Sequence, residues 1–186
     1  MDISLFWIVF ALLGGLVVIK ALYVLGAVLA LPTTGGALFC FTHYSKIETI
    51  LDEINMKSND VVFDLGCGDG RFIASAAKRY NVKGTGFEIN FFAYFLARLR
   101  LFPLRGRVLV KRDSFWKADF GEADVIFCYL FPDIMEKVAG KTKKEMKEGA
   151  LLISCNFPLP GWCAEKVLTA DHPSQKDPIY IYRKKA

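Results

Sequence analysis

The stretch VVFDLGCGDGRF, residues 61–72, constrains this chain more than any other. A short apolar run is followed at once by three glycines alternating with polar residues, and then by helix-forming sequence. The run reads as a strand. The glycines read as a loop that a ligand approaches closely, because glycine carries no Cβ and reaches positive φ freely. Strand, bare loop and helix in that order open a βαβ unit, and such units build parallel sheets.

The rest of the chain beyond residue 42 repeats that alternation. Apolar residues Ile47, Ile50, Leu51 and Ile54 have the spacing of an amphipathic helix over 46–56. Strands are expected at 61–65, 82–88, 108–112, 124–130 and 150–157, with helices at 71–80, 90–102 and 132–146. Two last strands, 164–169 and 178–183, have no helix between them and are expected to close the sheet as an antiparallel hairpin. The expectation is an α/β fold with a seven-stranded, mostly parallel sheet. The aromatic cluster Phe91, Phe92, Tyr94 and Phe95 is expected in its core.

The first 34 residues are of another kind. Hydrophobic residues make up 53% of the chain, and the excess lies before residue 42. From Ile3 to Leu31 the only charge is Lys20. As a helix this run would reach roughly 43 Å at about 1.5 Å per residue, more than a hydrocarbon core of about 30 Å. A cleavable signal and a helix buried in the fold are the alternatives. No basic residue precedes the run, and it is long for a signal. The reading is one N-terminal transmembrane helix. Pro32 and Gly35-Gly36 end it, giving an anchor with the start of a linker over 1–34 and a second domain over 35–186. Asp2 flanks one side; Lys46, Lys57 and a basic domain flank the other. The positive-inside rule then places a single-pass protein with its domain in the cytoplasm. Five cysteines without a Cys-x-x-Cys pair read as free thiols, and only two histidines argue against a zinc site.

Gly66, Gly68 and Gly70 do not by themselves name a ligand. The Gly-Lys-Ser/Thr of a phosphate-gripping loop is absent, and Arg71 stands where a dinucleotide loop has its third glycine. Glu88 closes the second strand 22 positions after Gly66, where a carboxylate can accept from both ribose hydroxyls. Asp113 and Ser114 end the third strand on the same rim, in reach of an adenine amino group. Three strand ends thus converge on one adenosine.

These residues resemble the class I S-adenosylmethionine-dependent methyltransferases. DLGCGDG at 64–70 is similar to the first motif of that family and GFE at 86–88 to its second. The resemblance implies a Rossmann-like fold and S-adenosyl-L-methionine as cofactor, held by Asp64, Gly66, Gly68, Asp69, Glu88, Asp113 and Ser114. A narrower likeness lies in GTGFEIN (84–90), RDSFW with Asp113 and Trp116, DVIFCYLFP (124–132) and CNFPLPGW (155–162). These resemble the small membrane-anchored protein-lysine methyltransferases that modify the adenine nucleotide translocase and the c-ring protein of ATP synthase. Phe91 stands where that family usually has proline, and Thr42 is the only counterpart of its Pro-Ser/Thr step. The likeness implies membrane attachment through the N-terminal helix and a lysine of a membrane protein as substrate. A lipid or quinone acceptor, and a module that binds the cofactor without turnover, remain open. Tyr129 and Asn156, at the ends of the fourth and fifth strands, are the candidates for handling the acceptor. Six basic residues between Arg98 and Arg112 suit anionic lipid headgroups; beside a membrane helix that reading is preferred to nucleic acid.

Overall fold

The apolar run at 61–65 becomes strand β1 (Val61–Leu65) near the middle of a seven-stranded sheet ordered β3-β2-β1-β4-β5-β7-β6. The computed structural model describes residues 3–34, 41–170, 172 and 176–185. The remaining strands are β2 (Lys83–Phe87), β3 (Val108–Lys111), β4 (Val125–Cys128), β5 (Leu151–Cys155), β6 (Lys166–Thr169) and β7 (Pro178–Arg183). The helices are α1 (Ile3–Thr34), α2 (Tyr44–Glu53), α3 (Arg71–Tyr80), α4 (Phe91–Leu101) and α5 (Pro132–Glu145). Strands β3, β2, β1, β4 and β5 run parallel, and β7 pairs antiparallel with both β5 and β6. This is the Rossmann-like sheet expected from the sequence, with its closing hairpin.

Two cores form, one on each face. Ile47, Ile50 and Leu51 of α2 and Phe72 and Ile73 of α3 pack with Val62, Phe127 and Ile153 of the strands. Met135 and Val138 of α5 pack with Phe63, Leu65, Ile126 and Leu152 on the other face. β4 is buried along its whole length, which is why it is apolar at every position rather than at alternate ones. The Phe72 and Phe127 rings stack with centroids 3.8 Å apart, fixing α3 on β4. At Gly86 a Cβ would come within 2.7 Å of Cys67 Sγ, so only glycine lets the loop after β1 sit against β2.

Three expectations need correction. Helix α4 does not bury the aromatic cluster. It turns Ala93, Ala97 and Leu101 inward, while Phe91 and Phe95 are exposed and Phe92 and Tyr94 half-buried. Lys46, counted as a flanking surface charge, is wholly buried. The third concerns α1. Its side chains are described for 5–21 and 24, and every one is exposed. Among the described residues no helix is long and apolar enough to cross a membrane. The transmembrane span expected from the sequence is therefore not found among the described residues. α1 comes into contact with α4. Cys67, Cys128 and Cys155 are buried free thiols and Cys163 is an exposed one, while Cys40 lies outside the described residues. Burial pushes the Cys128 thiol up to about 12, which suits packing and not reactivity.

Candidate active site

Every residue singled out from the sequence sits at the carboxyl end of a parallel strand. β1 delivers Asp64 and then the loop Gly66 to Gly70. Gly66, Gly68 and Gly70 have φ of 74°, 57° and 74°, the left-handed region that favours glycine. Glu88 follows β2 directly, and its N–H bonds to Lys111 O at 3.0 Å, tying the ends of β2 and β3 together. One Glu88 oxygen accepts from Gly68 N at 2.9 Å and the other from Asn90 N at 2.7 Å. The carboxylate thus fixes the glycine loop and the start of α4, with lone pairs remaining for a ligand. Burial raises the Glu88 pKa, and its backbone hydrogen bonds oppose that rise.

Asp69 has a different surrounding from the one expected of a ligand-binding group. Arg71 Nε and Nη2 each reach it at 2.9 Å, and Arg100 Nη2 at 2.7 Å. Burial alone would raise Asp69, but the hydrogen bonds and charges of the two guanidiniums outweigh it and hold the carboxyl below its usual range. Arg71 also donates to Thr42 O at 3.1 Å and Arg100 to Tyr44 Oη at 2.9 Å. Asp69 is therefore the hub that clamps the loop to α4 and to the segment entering α2. Asp113, half-exposed on the rim, accepts from Ser114 N at 2.7 Å and pairs with Lys117 at 2.8 Å, which holds its carboxyl low. Ser114 in turn accepts from Trp116 N.

An open cleft lies on the β4 side of the glycine loop, walled by Phe41, Thr42, Asp64, Gly66, Gly68 and Tyr129 among others. Glu88 and Asp113 stand on the other side of the loop, toward β3. Tyr129 and Asn156 come together: Asn156 Nδ2 donates to Tyr129 Oη at 2.9 Å. Asn156 has φ 70°, which asparagine tolerates better than most residues. Its own N–H donates to Pro178 O at 2.8 Å. Sequence reasoning missed the residue behind this pair. Lys46 Nζ donates to Asn156 Oδ1 at 2.6 Å and to Asp177 Oδ2 at 3.3 Å, and lies 5.5 Å from the Tyr129 ring centre. A lysine at the head of an amphipathic helix carries no sign of burial, so no signal in the sequence marked it.

Asp64 carries the clearest mark of a ligand. It is buried, and its Oδ2 has no hydrogen-bond partner among the described residues. Burial, then the charges of Glu88 and Asp69, raise its pKa well above the usual carboxylate range. An orphaned carboxylate oxygen on the wall of a cleft fits a cationic ligand, which would supply both the missing donor and the missing charge. S-adenosylmethionine carries an ammonium and a sulfonium, so the residues present fit it. Asp64 would take the ammonium, the glycine loop the close approach, Glu88 the ribose, and Asp113 with Ser114 the base.

The comparisons with known proteins agree. Residues 64–166 match the family described as the ANTKMT methyltransferase domain. A protein-lysine N-methyltransferase of Saccharolobus islandicus (strain REY15A) is 32% identical over 139 residues, 73% of this chain and 86% of that one. The Homo sapiens lysine N-methyltransferase named for the c-ring protein of ATP synthase is 27% identical over 124 residues, 66% of this chain and 52% of its own. The chain thus spans about half the length of that relative. In fold it is similar to an RNA methyltransferase from Salinibacter ruber solved with S-adenosyl-L-homocysteine, with a TM-score of 0.72 over 78% of this chain and 94% of that one, at 24% identity. On the motif, the cation-suited cleft and the length of the match, the chain belongs to the ANTKMT methyltransferase-domain family and is an S-adenosylmethionine-dependent methyltransferase.

Proposed function

We propose that this enzyme methylates the side-chain nitrogen of a lysine in a membrane protein. It works attached to the membrane through α1, with the catalytic domain on the cytoplasmic side. The observation that carries the membrane part is α1 itself. Trp7, Phe10, Leu12, Leu13, Val17 and Ile19 are all exposed to the extent of about half or more. They point in every direction around the helix, and a helix apolar all round has no stable place in water. The sidedness rests on flanking charge, Asp2 before the helix and a basic domain after it, with Lys46 no longer counted. Two relatives are named for the c-ring protein of ATP synthase and for the adenine nucleotide translocase, and an acceptor of that kind is proposed here.

S-adenosylmethionine, when bound, supplies a sulfonium methyl group as the electrophile. The chain's residues position the reactants and exclude water. Phe41, Phe72 and Phe127 line the cleft and help to exclude water from it. Tyr129 lines the same wall, its Oη held by Asn156 and through it by Lys46, and we assign it to orienting the incoming amine.

The test is incubation of the purified full chain with methyl-labelled donor and native membranes. Label in a protein band, mapped to lysine by mass spectrometry, is the expected result. Label in the organic phase would replace the protein acceptor by a lipid or quinone. Donor binding with no transfer would reduce the protein to a cofactor-binding module.

A further inference from the structure

Helix α4 is built the wrong way round for a helix that only covers a sheet. Its inward face is Ala93, Ala97 and Leu101. Its outward face is Phe91, Phe95 and Leu99, continued by Phe102, exposed to 60%, 50%, 59% and 62%. The two rows are offset by two residues, about 200° at roughly 100° per residue, so they lie on opposite sides of the helix. Four large apolar side chains in one row form a stripe and not a scatter of isolated exposures.

The charges around the stripe say what covers it. No acidic residue occurs between Glu88 and Asp113. Arg98, Arg105, Arg107 and Arg112 are exposed and have no ion-pair partner among the described residues. Arg112 sits 5.1 Å from the Phe91 ring centre and Arg105 4.7 Å from that of Phe102, so guanidiniums flank the stripe at both ends. An apolar row bordered by unpaired arginines complements an anionic bilayer: rings enter the acyl boundary and guanidiniums meet the headgroups. A soluble protein partner would have to bring both an apolar groove and acids at both ends. α4 also lies in contact with α1, the helix proposed above to meet lipid.

We infer that α4 is a second membrane contact, lying along the surface of an anionic bilayer on the row Phe91, Phe95, Leu99 and Phe102. The inference rests on the membrane attachment proposed above. It adds an orientation. α4 starts just beyond Glu88, so a flat α4 holds the carboxyl rim of the sheet at the level of the headgroups, where an acceptor lysine at the membrane interface lies.

The experiment uses the full chain with p-benzoylphenylalanine in place of one residue, in vesicles of phosphatidylcholine and phosphatidylglycerol carrying a fluorescent lipid. The positions are Phe95 on the stripe, Phe10 on α1 and Lys137 on the exposed side of α5. Photolysis is expected to label lipid from positions 95 and 10 and to leave position 137 at background. Labelling from 95 is expected to fall at least about threefold with Arg98→Gln and Arg105→Gln together, or in pure phosphatidylcholine, because each basic side chain near an anionic surface contributes about 1 kcal/mol. Lipid labelling from 10 without 95 overturns the α4 contact and leaves the attachment through α1 standing. Labelling from 95 without 10 supports the α4 contact and removes α1 as the anchor. Labelling from neither removes both, and a protein adduct from 95 shows the stripe covered by protein and overturns the inference.

Discussion

Two acids in the site differ in what their oxygens already accept. Both oxygens of Glu88 accept backbone N–H bonds, from Gly68 and Asn90. Glutamine fills the same space but turns an NH₂ toward one of those donors. Glu88→Gln is therefore expected to weaken S-adenosylmethionine binding by about 1.5–3 kcal/mol, the usual range for bonds to a charged group, and to lower the melting temperature as well. Titration calorimetry with unchanged affinity would remove Glu88 from the site. Asp64 should behave otherwise. Its pKa is raised in the folded state by burial and by Glu88 and Asp69, so the folded protein binds that proton more tightly than the unfolded chain. Its contribution to stability is fully present below the ordinary carboxylate value and is lost as pH rises toward the raised one. At neutral pH the ligand-free protein has therefore lost stability at Asp64 that it holds in acid. Asp64→Asn is expected to raise the melting temperature of the ligand-free protein, by about 2–4 °C for each 1 kcal/mol relieved, and to lessen its gain in stability on mild acidification. The same change should weaken donor binding, since the ammonium loses its counter-charge. A variant that melts lower and binds normally would show Asp64 to be structural.

The elements were legible where the local pattern and the tertiary environment ask for the same thing. β1, α3 and β7 fall at 61–65, 71–80 and 178–183 as expected, because each is an apolar or amphipathic run bounded by a turn. The strand expected over 124–130 is longer than β4, since Tyr129 and Leu130 are apolar but have already left the ladder, Tyr129 for the cleft wall and Leu130 for the second core. In α4 apolar composition does not mean burial: Phe91 and Phe95 face out while Ala93 and Ala97 face in. The glycine loop and Glu88 could be read because their spacing is local to one βαβ unit. Lys46 could not, because its partners lie 110 and 131 residues away and only the folded sheet brings α2 against the end of β5. That contact can be tested as a unit. Lys46→Met keeps most of the volume but leaves Asn156 Oδ1 without its donor, a loss of about 1–3 kcal/mol of stability. The Asp177 charge is half-exposed and stays solvated. If Asn156 and Tyr129 orient the acceptor, kcat falls while the donor dissociation constant stays put. Unchanged kcat in the destabilised variant would leave Lys46 a packing residue.

At the scale of the whole molecule, neither hydrophobic core draws on a described side chain of α1. Among the described residues both are assembled at or beyond Ile47, and the cleft uses residues from Phe41 onward. Removing residues 1–34 should therefore leave a folded domain whose affinity for S-adenosylmethionine stays within about twofold of the full chain, the effect of changes remote from the core. What it should lose is proximity. Tethering to a bilayer replaces free encounter with an effective concentration near the millimolar range, and the gain from a second attachment is about 10²-fold or more. The fragment is expected to methylate a soluble lysine peptide as fast as the full chain does. On native membranes it should be slower by about that factor, and α4 alone should give it a weak residual association that salt screens away. Equal rates on membranes for fragment and full chain would show that α1 does not deliver the enzyme to its substrate, whatever else it does. A fragment that fails to fold would show instead that the contact between α1 and α4 belongs to the domain, and the apolar helix would have to be reassigned to the fold.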